Sequence, residues 1–284
     1  MTQYAHPEAI VDIEWVKNNL NNPKVRIVEV DYDPKLAYEQ GHISGAVLVD
    51  WRKDMNDPVQ RDIIGPEAFE KLMSRLGIAN DTTVVLYGDY NNWFAAFAFW
   101  VFKLYDHDDV KILNGGRKKW IDDVGELTKE VPNYPQTQYK VKRINLEDRV
   151  FLQDLLKLKA ANPNLVLVDV RSPAEFKGEI TAPPEYANEQ TQRAGHIPGA
   201  VNIPWAQAVN DDGTFKSVEE LKKLYGEKGV TSDKDIVTYC RIGERASHTW
   251  FVLKYLLGYK NVKVYDGSWT EYGNLIRFPI VKEV

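Results

Sequence analysis

The residues whose types and spacing most suggest chemistry form a six-residue run, Cys240-Arg241-Ile242-Gly243-Glu244-Arg245. Cys240 is the chain's only cysteine, which excludes an internal disulfide, a Cys-x-x-Cys redox pair and a multi-cysteine zinc site. A lone cysteine is by default a small buried hydrophobe. Its neighbours argue otherwise. An apolar strand, Ile236–Tyr239, precedes it and a helical stretch, Ala246–Leu257, follows. Ligands of open α/β sheets bind at the carboxyl ends of strands, and a helix N-terminus presents unpaired N–H groups and positive potential. Loop N–H groups around Gly243 can curl into an anion-binding nest. Arg241 and Arg245 add permanent positive charge. Each effect is expected to lower the thiol pKa from its free value of about 8.5 and so supply thiolate at neutral pH. The arginines are also candidates to hold an anionic substrate by charge-assisted hydrogen bonds. Glu244 opposes this field, either facing solvent or pairing with an arginine.

A cradled thiolate can attack an anionic donor and keep the transferred group covalently. A phosphoryl group and a sulfur atom both fit. Phosphatase-type loops place five residues between cysteine and arginine, whereas four intervene here, Arg241 to Glu244. The smaller ring crowds a tetrahedral phosphoryl group and suits a single sulfur. With no second cysteine, a thioredoxin-like or peroxide-type cycle needs an external thiol.

The elements around this loop occur twice. Gly41–Trp51 (GHISGAVLVDW) and Gly195–Trp205 (GHIPGAVNIPW) share seven of eleven residues. Upstream lie Val25–Glu29 and Leu165–Asp169, apolar runs ending in an acid; downstream, Tyr87–Trp120 superposes on Tyr239–Tyr272 at a constant offset of 152. Short strands alternating with helices imply a mostly parallel sheet in each copy. The expected layout is an N-terminal domain over 1–130, a linker over 131–147 and a C-terminal domain over 148–284. The second copy carries an insertion over 177–194, whose Pro183-Pro184 segment is expected to be a surface loop.

Features shared by both copies are expected to be structural, and features of one copy are candidates for chemistry. His42 matches His196, so both read as hydrogen-bonded loop histidines; Gly45 and Gly199 read as turn residues. Where the second copy has Cys240 and its arginines, the first has Gly88-Asp89-Tyr90-Asn91-Asn92-Trp93. His248, two helical turns beyond Cys240, lies too deep to act as a base. Gly115-Gly116-Arg117-Lys118-Lys119 lacks phosphate-loop spacing and reads as a strand-to-helix turn with a solvated basic face. Trp93–Trp100 reads as a buried helix, and Trp250 and Phe251 as core. Asp31, Tyr32 and Asp33 follow a strand end of the first copy and are candidates to face the active cleft.

Composition limits the function classes. The chain of 284 residues has 44% hydrophobic and 27% charged residues, with 36 Lys plus Arg against 41 Asp plus Glu. This balance argues against a nucleic-acid footprint or a polybasic membrane patch. No apolar run approaches the roughly 20 residues that span a bilayer, and Met1–Ile10 lacks an export-signal pattern, so a cytoplasmic location is expected. The histidines and acids show no metal-ligand spacing.

On the two GHIxGA segments, the NGGRKKW and YDGSWTEY stretches and the CRIGER loop followed by Ala246-Ser247-His248-Thr249-Trp250, nearly the whole chain resembles the tandem-domain rhodaneses, the thiosulfate sulfurtransferases. The resemblance implies an α/β fold of two tandem rhodanese-like domains, each a mostly parallel sheet flanked by helices, with the N-terminal domain inactive. It implies that Cys240 takes the sulfane sulfur of thiosulfate as a persulfide, releases sulfite and passes the sulfur to cyanide or a thiol, without metal or organic cofactor. Arg241, Ile242, Gly243, Glu244 and Arg245 are the expected substrate-binding residues, and Asp169, Arg171 and Tyr32 the expected supporting ones. The basic loop favours thiosulfate over 3-mercaptopyruvate, whose enzymes have loops resembling Cys-Gly-Ser-Gly-Val-Thr. Animal enzymes carry a substrate-binding arginine where Glu175 stands here, and Arg245 is a candidate to replace it. Arg171 and Asp169 read as a structural pair. The alternatives are a mercaptopyruvate sulfurtransferase, a cysteine phosphatase and a non-catalytic anion-binding module; no nucleic-acid or membrane partner is expected.

Overall fold

The computed structural model describes residues 3–183 and 190–283. Pro184 and the rest of 184–189, within the insertion expected to form a surface loop, lie outside the described residues. The chain forms two compact units, one of His6–Asn145 with Val209–Phe215, the other of Leu146–Ala208 and Lys216–Val284 with Met1–Ala5.

In the first unit the order is β1 (Ile10–Val11), α1 (Ile13–Asn19), β2 (Val25–Asp31), β3 (Val47–Asp50), α2 (Trp51–Asp54), α3 (Pro66–Arg75), β4 (Thr83–Tyr87), α4 (Trp93–Leu104), β5 (Val110–Leu113) and α5 (Gly116–Asp123). The strands form one parallel sheet, β1-β5-β4-β2-β3. β2 is buried along its whole length, as expected of a strand covered on both faces. The stretch Trp93–Trp100 opens α4, whose apolar residues are buried.

The second unit repeats the plan with α6 (Leu152–Ala161), β6 (Leu165–Asp169), α7 (Pro173–Lys177), β7 (Val201–Asn202), α8 (Val218–Gly226), β8 (Asp235–Tyr239), α9 (Glu244–Phe251), β9 (Val262–Val264) and α10 (Ser268–Tyr272). Its sheet order β7-β6-β8-β9 is that of β3-β2-β4-β5, again all parallel. A single parallel bridge, Arg149 to Val264, stands where β1 lies in the first unit. Ser172 and Ser217 start α7 and α8 with capping boxes closed by Glu175 and Glu220, each worth on the order of 1 kcal/mol.

The shared features have equivalent structural tasks. His42 stacks on Tyr38 at 3.7 Å between centroids and bonds its carbonyl through Nδ1; His196 stacks on Phe176 at 3.6 Å and bonds that residue's carbonyl in the same way. Tyr87 and Tyr239 each accept the N–H of the isoleucine after those histidines, at 3.0 and 3.2 Å. Gly45 and Gly199 both have positive φ, +78° and +83°, which a side chain resists.

The stretch expected to link the domains, 131–147, is packed against the first unit as far as Asn145. Tyr139 is buried between Phe69 and His107, and the Arg26 guanidinium lies 3.2 Å from the Tyr134 ring centroid. Its tyrosines bury apolar area, which outweighs the turn-forming tendency of its prolines.

Candidate active site

Strand β8 carries Tyr239 in register with Asp169 of β6, and Cys240 follows at the carboxyl end of the sheet. The loop turns through Gly243, whose φ of +101° a side chain rarely adopts and whose added Cβ would stand 3.0 Å from Cβ of Asp266. That turn aims the start of α9 back at the cysteine, so the Gly243 N–H donates to Cys240 Sγ at 3.1 Å.

A second element fixes the loop from behind. The Cys240 N–H donates to Ser268 Oγ at 3.1 Å, and the Ser268 hydroxyl donates to the Tyr265 carbonyl at 2.7 Å. The Cys240 carbonyl accepts from Trp269 N–H at 3.0 Å, while the Arg241 carbonyl accepts both the N–H and the hydroxyl of Thr270. Ser268 holds a left-handed φ of +51°, strain that its two hydrogen bonds offset. Neither Ser268 nor Thr270 was assigned a role from sequence. Their signal was positional: Ser268 stands 152 residues after Gly116, which adopts φ +56° in the first unit.

The structure brings Cys240, Arg241, Ile242, Gly243, Glu244 and Arg245 into one buried cluster; Cys240 has no exposed surface and Glu244 has 1%. Glu244 does not face solvent. Its Oε2 lies 3.5 Å from Cys240 Sγ, and its Oε1 lies 3.8 Å from Arg241 Nη2 and 3.7 Å from Arg245 Nε. Arg245 donates two parallel hydrogen bonds to Glu175 on α7, at 2.9 and 3.0 Å. Glu175 Oε2 also accepts from the N–H and hydroxyl of Ser172 at the start of α7. Burial pushes the Glu175 carboxyl up, but the Arg245 guanidinium, Arg171 and the Ser172 N–H together outweigh it and hold the pKa at about 2.

One expectation is corrected here. The thiol pKa is not lowered: burial, then the Glu244 carboxylate, push it up to about 11, against the weaker pull of Arg245 and the N–H groups of Ala246 and Gly243. Arg245, the candidate to stand in for a substrate-binding arginine, directs one N–H of each terminal nitrogen at Glu175. A seventy-residue separation hid that pair, although the Ser172-x-x-Glu175 capping signature was available.

The supporting residues divide between the units. Arg171 donates to Asp169 through Nη2 at 2.6 Å and Nε at 3.0 Å, both side chains fully buried, and lies over the Trp269 ring at 4.6 Å. In the first unit Glu29 has a cation from another place: Arg117, which stands where the second copy has Trp269, donates to it at 2.7 Å. Arg117 is therefore buried, which corrects the expectation of a solvated basic face; Lys118 and Lys119 do form surface ion pairs. Tyr32 belongs to the first unit, stacked on Phe94 with centroids 5.5 Å apart and covered by Arg52. His248 is fully buried, edge-on to Trp205.

The first unit's counterpart of the loop lacks room for a thiol. A Cβ on Gly88 would meet the Val30 carbonyl oxygen at 2.4 Å, and the Gly88 N–H is taken by Asn92 Oδ1 at 3.0 Å. Among the described residues no group of acids, histidines or cysteines could hold a metal ion, and no helix is long and apolar enough to cross a membrane.

Two stretches, residues 12–123 and 152–275, match the rhodanese-like domain. The chain is 59% identical over 281 residues to the sulfur carrier protein TtuD of Thermus thermophilus, covering 98% of each chain. It is 48% identical over 279 residues to a thiosulfate sulfurtransferase of Corynebacterium glutamicum, covering 98% of this chain and 92% of that one. Among solved structures, EanB as a cysteine persulfide in a tetrahedral intermediate state with ergothioneine superposes with a TM-score of 0.87 at 26% identity, covering 100% of this chain and 73% of that one.

Proposed function

We propose that this chain, which belongs to the rhodanese-like domain family, moves sulfane sulfur through a persulfide on Cys240. The observation that carries the reading is the placement of Cys240 Sγ at the N-terminus of α9, 3.1 Å from the Gly243 N–H, in the one copy of the repeat that has a cysteine. The relatives named thiosulfate sulfurtransferase and sulfur carrier protein support it.

The donor is thiosulfate. The Cys240 thiolate attacks its outer sulfur; the new S–S bond forms at Sγ, the old one breaks, and its electron pair leaves with sulfite. A thiolate or cyanide then takes the outer sulfur and returns Cys240. The loop N–H groups stabilise negative charge on sulfur, and Asp169 with Arg171 holds the end of β6 beside the reacting strand. With burial and Glu244 pushing the thiol pKa up to about 11, loading draws on a small thiolate fraction at neutral pH.

Thiocyanate production from thiosulfate and cyanide, with 3-mercaptopyruvate as the parallel donor, tests the reading. Turnover with thiosulfate, lost in Cys240→Ser, is the expected result. Preference for mercaptopyruvate keeps the persulfide and overturns the donor; hydrolysis of aryl phosphates with neither sulfur donor active overturns both.

A further inference from the structure

Glu244 has a placement that the sulfur-transfer cycle does not require. Its carboxylate is buried against the reacting sulfur, 3.5 Å from Sγ, and faces both loop arginines within 4 Å. With Glu175 closing on Arg245, the two cations of the loop meet two carboxylates. Among the described residues the loop's positive charge is thus partly offset, and burial keeps solvent from screening Glu244.

We propose that Glu244 tunes donor choice by charge, lowering the preference of the pocket for dianions over donors carrying one negative charge. This rests on the reading of Cys240 as the sulfur carrier. Among the described residues, the charged groups of the loop and its neighbouring elements are Glu244, Arg241 and Arg245 from the loop and α9, Glu175 from α7, the Asp169–Arg171 pair at the end of β6, and Asp266 with Arg149 beside Gly243. Of these carboxylates Asp169, Glu175 and Asp266 are each matched by an arginine at hydrogen-bond distance. Glu244 stands farther from its arginines, at 3.7 and 3.8 Å, and lies 3.5 Å from the reacting sulfur.

Thiosulfate and benzenethiosulfonate present the same reacting bond with two charges and one. With either, the Cys240 thiolate attacks the outer sulfur and forms the Sγ–S bond. The bond to the sulfonyl sulfur breaks, its electron pair leaves with sulfite or benzenesulfinate, and the thiol proton goes to solvent. No oxidant or reductant enters.

The test measures kcat/KM for both donors, with cyanide as acceptor, in the wild type, Glu244→Gln and Glu244→Asp. Removing the charge is expected to raise the thiosulfate to benzenethiosulfonate ratio by about ten-fold, through KM for thiosulfate, and to move the alkylation midpoint of Cys240 to lower pH. Glu244→Asp keeps the charge and is expected to stay within about two-fold of the wild-type ratio. A second neutral variant, Glu244→Met, must move the ratio the same way, which covers the case in which Glu244→Gln does not fold. An equal change for both donors, or an aspartate variant matching the neutral ones, overturns the proposal while leaving the Cys240 reading intact. Failure of the wild type to load sulfur from either donor instead overturns that reading, and this proposal with it.

Discussion

Glu175 clamps Arg245 with two parallel hydrogen bonds, 2.9 and 3.0 Å long, in an ion pair that is almost wholly buried. The same carboxylate closes the capping box of α7 through Ser172. One side chain thus fixes the start of a helix and a guanidinium of the cysteine loop. Part of the loop's charge is internal scaffolding.

Replacing Glu175 by Gln leaves a buried guanidinium without its counter-charge and is expected to cost about 3–5 kcal/mol in urea unfolding at neutral pH. The loss depends on pH in a defined direction. The folded pKa of about 2 lies below the ordinary value of 4.5, so the contribution is complete above about pH 4.5 and is lost as pH falls through about 2. The gap between wild type and variant should narrow over that window. A gap that stays constant down to pH 2 contradicts the pairing.

The Cys240 thiol supplies a second pH test. With a pKa of about 11, its reaction with iodoacetamide should rise about ten-fold per pH unit from pH 7 to 10. At pH 7 it should run at least about 100-fold below a small thiol of pKa 8.5. A plateau below pH 8 would mean that the loop N–H groups and arginines outweigh burial and Glu244.

Much of this was legible in the sequence, because a duplicated chain contains its own control. His42 with His196 and Gly45 with Gly199 read as structural, and the all-apolar start of α4 as a buried helix, since each depends on local pattern. The sign of the Cys240 shift was not legible. Helix dipole, nest and arginines can be counted along the chain, but desolvation and the inward turn of Glu244 depend on the packed loop. Arg245 with Glu175, and Cys240 with Ser268, are long-range partners that no spacing rule relates. In the 131–145 stretch the prolines are visible locally whereas the burial of Tyr139 is not.

Ser268→Ala removes the acceptor of the buried Cys240 N–H and leaves a left-handed backbone without its compensation. It is expected to cost about 1–3 kcal/mol and to slow sulfur loading, read by unfolding and by single-turnover sulfite release. Unchanged stability and loading would show that the loop is held without it.

Moving the cysteine to the first unit should not move the activity. Gly88→Cys in a Cys240→Ser background sets a Cβ against the Val30 carbonyl at 2.4 Å. The variant is expected to lose stability by about 1–3 kcal/mol and to produce no thiocyanate. Measurable turnover would show that the first unit keeps a usable cradle.

The most direct measurement is mass spectrometry of the protein after incubation with thiosulfate, followed by proteolysis without reductant. The account predicts one added sulfur atom on the peptide that carries Cys240, removed by cyanide and absent from Cys240→Ser. Sulfur that never appears on that peptide, or that still appears on the serine variant, contradicts it.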